Sequence, residues 1–230
     1  MKGRGLVGGS AMIAAAVILL FGVAISVYGT DGQTTAPTRH VNGNTIVSGE
    51  SPKAELSIAK EFRFAGTQTV NLYGNADAEQ FLFVAPGAGN TVDRFYWLQF
   101  EHFLPTNDMK YNYDSTRAAQ LGDLSFVYDV KGFSDFAAVL TSDPASDGAA
   151  MQRLLVKQNL SFPHKTVMVR MFHLPTADHR TELMVIYGEA LPQDTTVPAR
   201  ADGAKLDTES PDSAKTFLDH ARQGLVIRTR

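Results

Sequence analysis

Residues 6–28 read LVGGSAMIAAAVILLFGVAISVY and contain no charged side chain. A helix rises about 1.5 Å per residue, so a stretch of this length crosses the roughly 30 Å hydrocarbon layer of a bilayer. Lys2 and Arg4 precede it, and Tyr28 closes it at the position of an interfacial aromatic. A cleaved signal peptide would have an apolar stretch of about 7–15 residues and a small-x-small site behind it. This stretch is longer, and Ala24-Ile25-Ser26 is a poor cleavage site. We therefore expect a retained single-pass signal-anchor over residues 6–28, held in the lipid bilayer, with residues 1–5 as a cytoplasmic stub. Only Arg39 adds a positive charge in the twenty residues that follow. Basic flanks stay inside, so the remainder is expected to be extracytoplasmic, periplasmic in a two-membrane cell. A cleaved peptide would lead to the same compartment.

Once Lys2 and Arg4 are set aside, 19 basic residues stand against 24 acidic ones. A mildly acidic exported part argues against nucleic acid as a partner, because phosphate binding needs clustered Lys and Arg. The chain has no cysteine, which excludes disulfides, thiolate metal sites and a Cys nucleophile. With 230 residues, 44% of them hydrophobic, there is enough chain for one domain with a core.

Residues 29–53 are rich in Gly, Thr, Asn, Ser and Pro, lack helical periodicity and read as a flexible stalk. The only strand-like hint within them is Asn44-Thr45-Ile46-Val47. From residue 54 the pattern changes. Leu56, Ile58, Phe62 and Phe64 share even positions, the alternation of a half-buried strand. Further strands are expected at 69–73, 79–84, within 90–104 and at 124–131, then a hairpin from 164–174 and 182–191. Two helical pieces lie between, near 135–140 and from a Ser146 cap to about 159, where Met151, Leu154 and Leu155 share a face. Strands grouped on both sides of a helix, not alternating with helices, indicate α+β: one mainly antiparallel sheet packed with one or two helices over residues 54–191. Residues 192–230 read as a mobile tail with a short helix near 211–223. That helix is marked by Ser210 as cap, Pro211 at the first position and Gly224 as a left-handed stop. Its stripe of Ala214, Phe217, Leu218 and Ala221 must dock on its own domain or on a partner.

The block around RFYWLQFEHFL supplies the candidate site. On one strand, Tyr96, Leu98 and Phe100 point one way, while Phe95, Trp97, Gln99 and Glu101 point the other. Aromatics beside an amide and a carboxylate suit ligand binding. The bland alternative is that helices cover this face and bury both sets, and it is the favoured one. Trp97, Gln99, Glu101 and His173 are the candidate ligand-binding residues. Paired acids for acid–base chemistry have four candidates, Glu101, Asp108, Asp129 and Glu182, and nothing in the sequence selects two of them. His173 and His179 could meet across the hairpin turn, but the ligand spacing of a zinc site is missing. The match Ser57-x-x-Lys60 lies in a strand pattern that points its ends apart. No catalytic residue, metal or cofactor is assigned.

The leading expectation is a membrane-anchored, non-enzymatic binding or assembly module that takes a small ligand or an envelope protein partner. An envelope-associated hydrolase or isomerase with an aromatic-lined cleft, and a hydrophobic-ligand carrier, are the alternatives.

Overall fold

The computed structural model describes residues 38–113, 117–196, 204–205 and 211–230. The expected anchor at 6–28 and the cap Ser210 lie outside them. Among the described residues, no helix is long and apolar enough to cross a membrane.

The chain is α+β, built mostly of strand, with two antiparallel sheets where one was expected. The strands are β1 His40–Asn42, β2 Thr45–Ser48, β3 Ala54–Ile58, β4 Arg63–Leu72, β5 Ala76–Pro86, β6 Val92–Phe103, β7 Ala118–Leu121 and β8 Leu124–Phe133. A 3-10 turn at Phe136–Ala138 leads into α1 Val139–Ser142 and α2 Asp147–Lys157. Then come β9 Thr166–His173, β10 Thr181–Ala190, β11 Ala204–Lys205, α3 Pro211–Gln223 and β12 Leu225–Thr229. The small sheet runs β1-β2-β3-β12, and the large one β11-β8-β9-β10-β6-β5-β4 with β7 paired to β8.

The large sheet is buried on both faces, which explains why β6 is apolar at consecutive positions from Phe95 to Leu98. One face carries Phe81, Phe83, Tyr96, Leu98 and Val185. They pack against Ile46, Leu56 and Ile227 of the small sheet and Ala214, Leu218 and Ala221 of α3. The other face carries Leu82, Val84, Phe95, Trp97 and Ile186 beneath Met151, Leu154 and Leu155 of α2.

Three expectations change. Part of the supposed stalk is folded: β1 and β2 extend the small sheet, and the Asn44 amide donates to the carbonyls of Ala59 and Phe62 at 3.0 and 2.7 Å. Polar composition concealed this because the two strands bury little: only Ile46 and Ser48 are buried in β2, and Val41 is half-buried in β1. The last part of the tail is likewise integral, since β12 pairs with β3 from Leu225–Ile58 to Thr229–Ala54. The α3 stripe therefore docks on its own domain. Gly224 ends α3 without a left-handed φ; it is glycine because a Cβ there would lie 2.5 Å from the Tyr96 hydroxyl.

Candidate functional site

Strand register sets out the α2 face of the large sheet in rows. Trp97, Ile186, Arg170 and Asp129 are cross-strand neighbours on β6, β10, β9 and β8. Met168 and Lys131 pair in an adjoining row. Residues paired in this way share a face. Over these rows the 3-10 turn, α1 and the start of α2 leave a cleft of about 460 Å³. Trp97, Met168, Met184, Ile186, Phe133 and Phe136 give it an apolar surface, and Lys131, Arg170, Asp143 and Asp147 also line it.

The wall is held by local chemistry. Ser146 caps α2: its Oγ accepts from the Ala149 amide at 3.2 Å and donates to the Asp143 carbonyl at 2.8 Å. Arg170 grips Asp129 through Nε and Nη2 at 2.8 and 2.5 Å. Burial raises the Asp147 carboxyl above the usual carboxylate range, against the opposing pull of the Gly148 amide and the Arg170 charge. Trp97 is 2% exposed and has no hydrogen-bond partner for its Nε1.

Gln99 and Glu101 lie on the same face but belong to a polar ladder beside the cleft. Gln68 donates to Gln80 at 2.7 Å, Gln80 to Gln99 at 2.8 Å, and Gln99 to Glu101 at 2.7 Å. The ladder also anchors α2, because Gln68 and Gln80 donate to the carbonyls of Ala150 and Asp147. Glu101 stands opposite Glu182 across β6 and β10. Of the four acids named from the sequence, these are the two the fold brings face to face. The Tyr111 hydroxyl donates to Glu101 at 2.7 Å and the Tyr113 hydroxyl to Glu182. Both tyrosine rings stack on sheet aromatics, Tyr111 on Phe103 and Tyr113 on Phe172. Burial raises both carboxyls, Glu182 well above its ordinary value, with the neighbouring Glu101 charge adding to the effect.

His173 lies on the opposite face of the sheet from Trp97. Its Nδ1 is 2.9 Å from the Ser125 carbonyl and its ring packs near Phe126. It does not join the cleft. His179 sits in the turn with φ of 58°, and among the described residues no three His, Asp or Glu side chains come together to hold a metal ion.

A second cleft, of about 470 Å³, opens at the sheet end beside Arg39 and His102. Arg39 is itself buried, lies 4.0 Å over the Phe100 ring and pairs with Glu79 at 3.2 Å. Its donors also serve Ser48 and the Ser51 carbonyl, so its bonding is spent on joining the two sheets.

The sequence reading missed the glutamine ladder, the tyrosine caps and the wall formed by Phe133, Phe136 and Asp147. The alternation of Gln99 and Glu101 on one strand was the visible signal; the partners come from strands and loops distant in the chain. Comparison with protein-family models, curated proteins and solved structures returns no match.

Proposed function

We propose that this protein is a membrane-anchored extracytoplasmic module whose cleft under α1 and α2 binds a small, largely apolar ligand without transforming it. The observation that carries this reading is the cleft itself: Trp97, Phe133, Phe136 and four further apolar side chains offer a concave surface between sheet and helix. The buried acids offer less support for catalysis. Glu101 and Glu182 are occupied by tyrosine and glutamine donors and neither lines this cleft. The hydrophobic-ligand carrier is thus the alternative that merges with the leading reading. Two observations favour the hydrolase or isomerase: Asp147, raised by burial, lines this cleft, and Glu101, also raised by burial, lines the second cleft together with His102. With α3 docked on its own domain, its apolar stripe no longer supports an envelope protein partner.

Trp97 is the only tryptophan in the chain, so its fluorescence reports on the cleft directly. Titration of the full-length protein in detergent with an apolar fluorescence quencher is expected to quench Trp97 saturably. Linear, collisional quenching alone would refute the cleft as a binding site. A reporter fused after residue 230 is expected to be active only outside the cytoplasm, and activity only in the cytosol would refute the address.

A further inference from the structure

The floor and the mouth of the cleft differ in burial. Trp97, Met168, Met184 and Ile186 form the floor and are buried. Tyr73, Ser142 and Asp143 line the same cleft but are exposed, so they stand at its mouth. Between these exposed residues the Tyr73 hydroxyl donates to the Asp143 carboxylate at 2.6 Å. A carboxylate acceptor makes the bond charge-assisted. The side that carries Tyr73 is fixed. It is the turn between β4 and β5, where the Asn71 side chain accepts from the Gly74 amide at 2.8 Å. The Asn75 carbonyl of the same turn accepts from the Leu104 amide at 2.8 Å and the Asn107 side chain at 2.9 Å. Tyr73 itself has a φ of 54°, a left-handed backbone that is uncommon for an aromatic residue. The side that carries Asp143 is loose. It follows α1, which is four residues long and buries none of them. A segment that buries so little opens locally at low cost.

We infer that α1 is the lid of the cleft and that the Tyr73–Asp143 hydrogen bond is its latch, which sets how fast a ligand enters and leaves. The inference rests on the cleft being the binding site and adds how access to that site is controlled. Both ends of the lid are anchored, because Phe136 before it and Ser146 behind it are buried. The floor side chains are buried although they line a cavity of about 460 Å³, so the cover above them has to part before a ligand packs on them. The latch joins two groups of the protein and needs no ligand. It is made with the cleft empty or filled, so its loss speeds entry and exit alike and leaves the affinity nearly unchanged.

The test uses iodobenzene, an apolar heavy-atom quencher, on the full-length protein in detergent. Saturable quenching of Trp97 gives the affinity. Relaxation dispersion of the Met168 and Met184 methyl groups on the floor gives the entry and exit rates on the microsecond-to-millisecond scale. Tyr73→Phe keeps the ring and removes the hydroxyl. Both rates should then rise about three- to tenfold, the worth of one hydrogen bond, while the affinity changes less than about twofold. Asp143→Ala should raise the rates equally, and the double variant should raise them no further. Asp143→Asn keeps an acceptor and should stay near the unsubstituted rates. The Asp143 amide donates to the Val139 carbonyl at 3.0 Å, and in Tyr73→Phe it should exchange its hydrogen faster, while the sheet amides of Val185 and Ile186 should not. Unchanged rates in Tyr73→Phe, with quenching still saturable, would overturn the latch. Weaker binding with an unchanged entry rate would make Tyr73 a lining contact and would equally overturn it. Absence of saturable quenching in the unsubstituted protein would overturn the cleft reading itself, and the lid with it.

Discussion

Glu101 on β6 and Glu182 on β10 stand directly opposite each other on the α2 face of the sheet, each capped by the hydroxyl of a tyrosine from the 104–113 segment. Glu182 is buried and Glu101 half-buried, and burial together with the Glu101 charge holds the Glu182 carboxyl well above its ordinary value, so Glu182 retains a proton that the unfolded chain would release. Gln99, Tyr111, Tyr113 and, at longer range, Asp147 are the polar groups that face the pair.

The first prediction follows from that proton. A carboxyl raised in the folded state stabilises the fold fully below the unfolded value near 4.5, and the contribution is lost as pH rises through the folded value. Each retained proton costs about 1.4 kcal/mol per pH unit in that window. The protein is therefore expected to melt at a higher temperature at pH 5 than at pH 8. Asp147 adds a slope of the same sign. The exposed Asp123, Asp178 and Asp219 are lowered, so they act only below about 4, outside the window. Glu182→Gln keeps an acceptor for Tyr113 and removes the charge. Its melting temperature should fall less between pH 5 and pH 8, and should exceed that of the unsubstituted protein at pH 8. An unchanged slope, measured by calorimetry across the range, would refute the retained proton.

A second prediction concerns how the C-terminal segment is fastened. The last carbonyls of a helix have no partner within it. The Ala221 carbonyl of α3 is served at 2.7 Å by the Tyr96 hydroxyl from the middle of the large sheet, and that hydroxyl occupies the space a side chain at residue 224 would need. Tyr96→Phe should cost about 1–3 kcal/mol, because a buried carbonyl loses its donor. Gly224→Ala should cost about 1–3 kcal/mol by overpacking against a ring that is fully buried. In the double variant the two penalties should sum to less than their separate values, since the clashing hydroxyl is gone. Strict additivity in urea denaturation would mean that the two residues do not meet.

The glutamine ladder shows what was legible in the sequence and what was not. Alternation along 95–103 placed Gln99 and Glu101 on one face, and caps and periodicity located α2 and α3 to within a few residues. Side-chain direction is a local property of a strand. Pairing is not: Glu182 lies 81 residues from Glu101, and no local pattern records which strand borders which. The hint at 44–47 coincides with β2, but β1 left no signal, because a three-residue strand with two exposed residues resembles a linker in composition.

A third prediction tests the ladder. Gln99 accepts from Gln80 in a buried contact and donates to Glu101 in a partly buried one. Gln99→Leu preserves bulk but leaves Gln80 with one fewer acceptor and Glu101 with one fewer donor. Breaking a buried network in this way is expected to cost about 2–4 kcal/mol, more than one neutral hydrogen bond is worth. The loss should deepen with rising pH, since Glu101 then ionises with only Tyr111 to stabilise it. Chemical denaturation at pH 5 and pH 8 measures both effects, and a loss under about 1 kcal/mol at both values would show that the ladder carries little energy.

The wall of the cleft depends on Ser146. Its Oγ satisfies the Ala149 amide at the start of α2, and the residue itself lines the cavity. Ser146→Ala removes the cap and should cost about 1 kcal/mol, within the range of about 0.5–2 kcal/mol seen for such losses. Asparagine caps as well as serine does, and unlike aspartate it adds no charge beside Asp143 and Asp147. Ser146→Asn should therefore retain most of the stability that Ser146→Ala loses. Hydrogen exchange separates a capping effect from a general one. In Ser146→Ala the amide of Ala149 should exchange faster, while those of Val185 and Ile186 in the sheet change only with global stability. Because Gly148 and Asp147 belong to the same turn, fraying there should also loosen the wall and weaken binding of the apolar quencher in the alanine variant but not in the asparagine one. Equal stability and equal binding in the two variants would show that Ser146 does not organise the cleft.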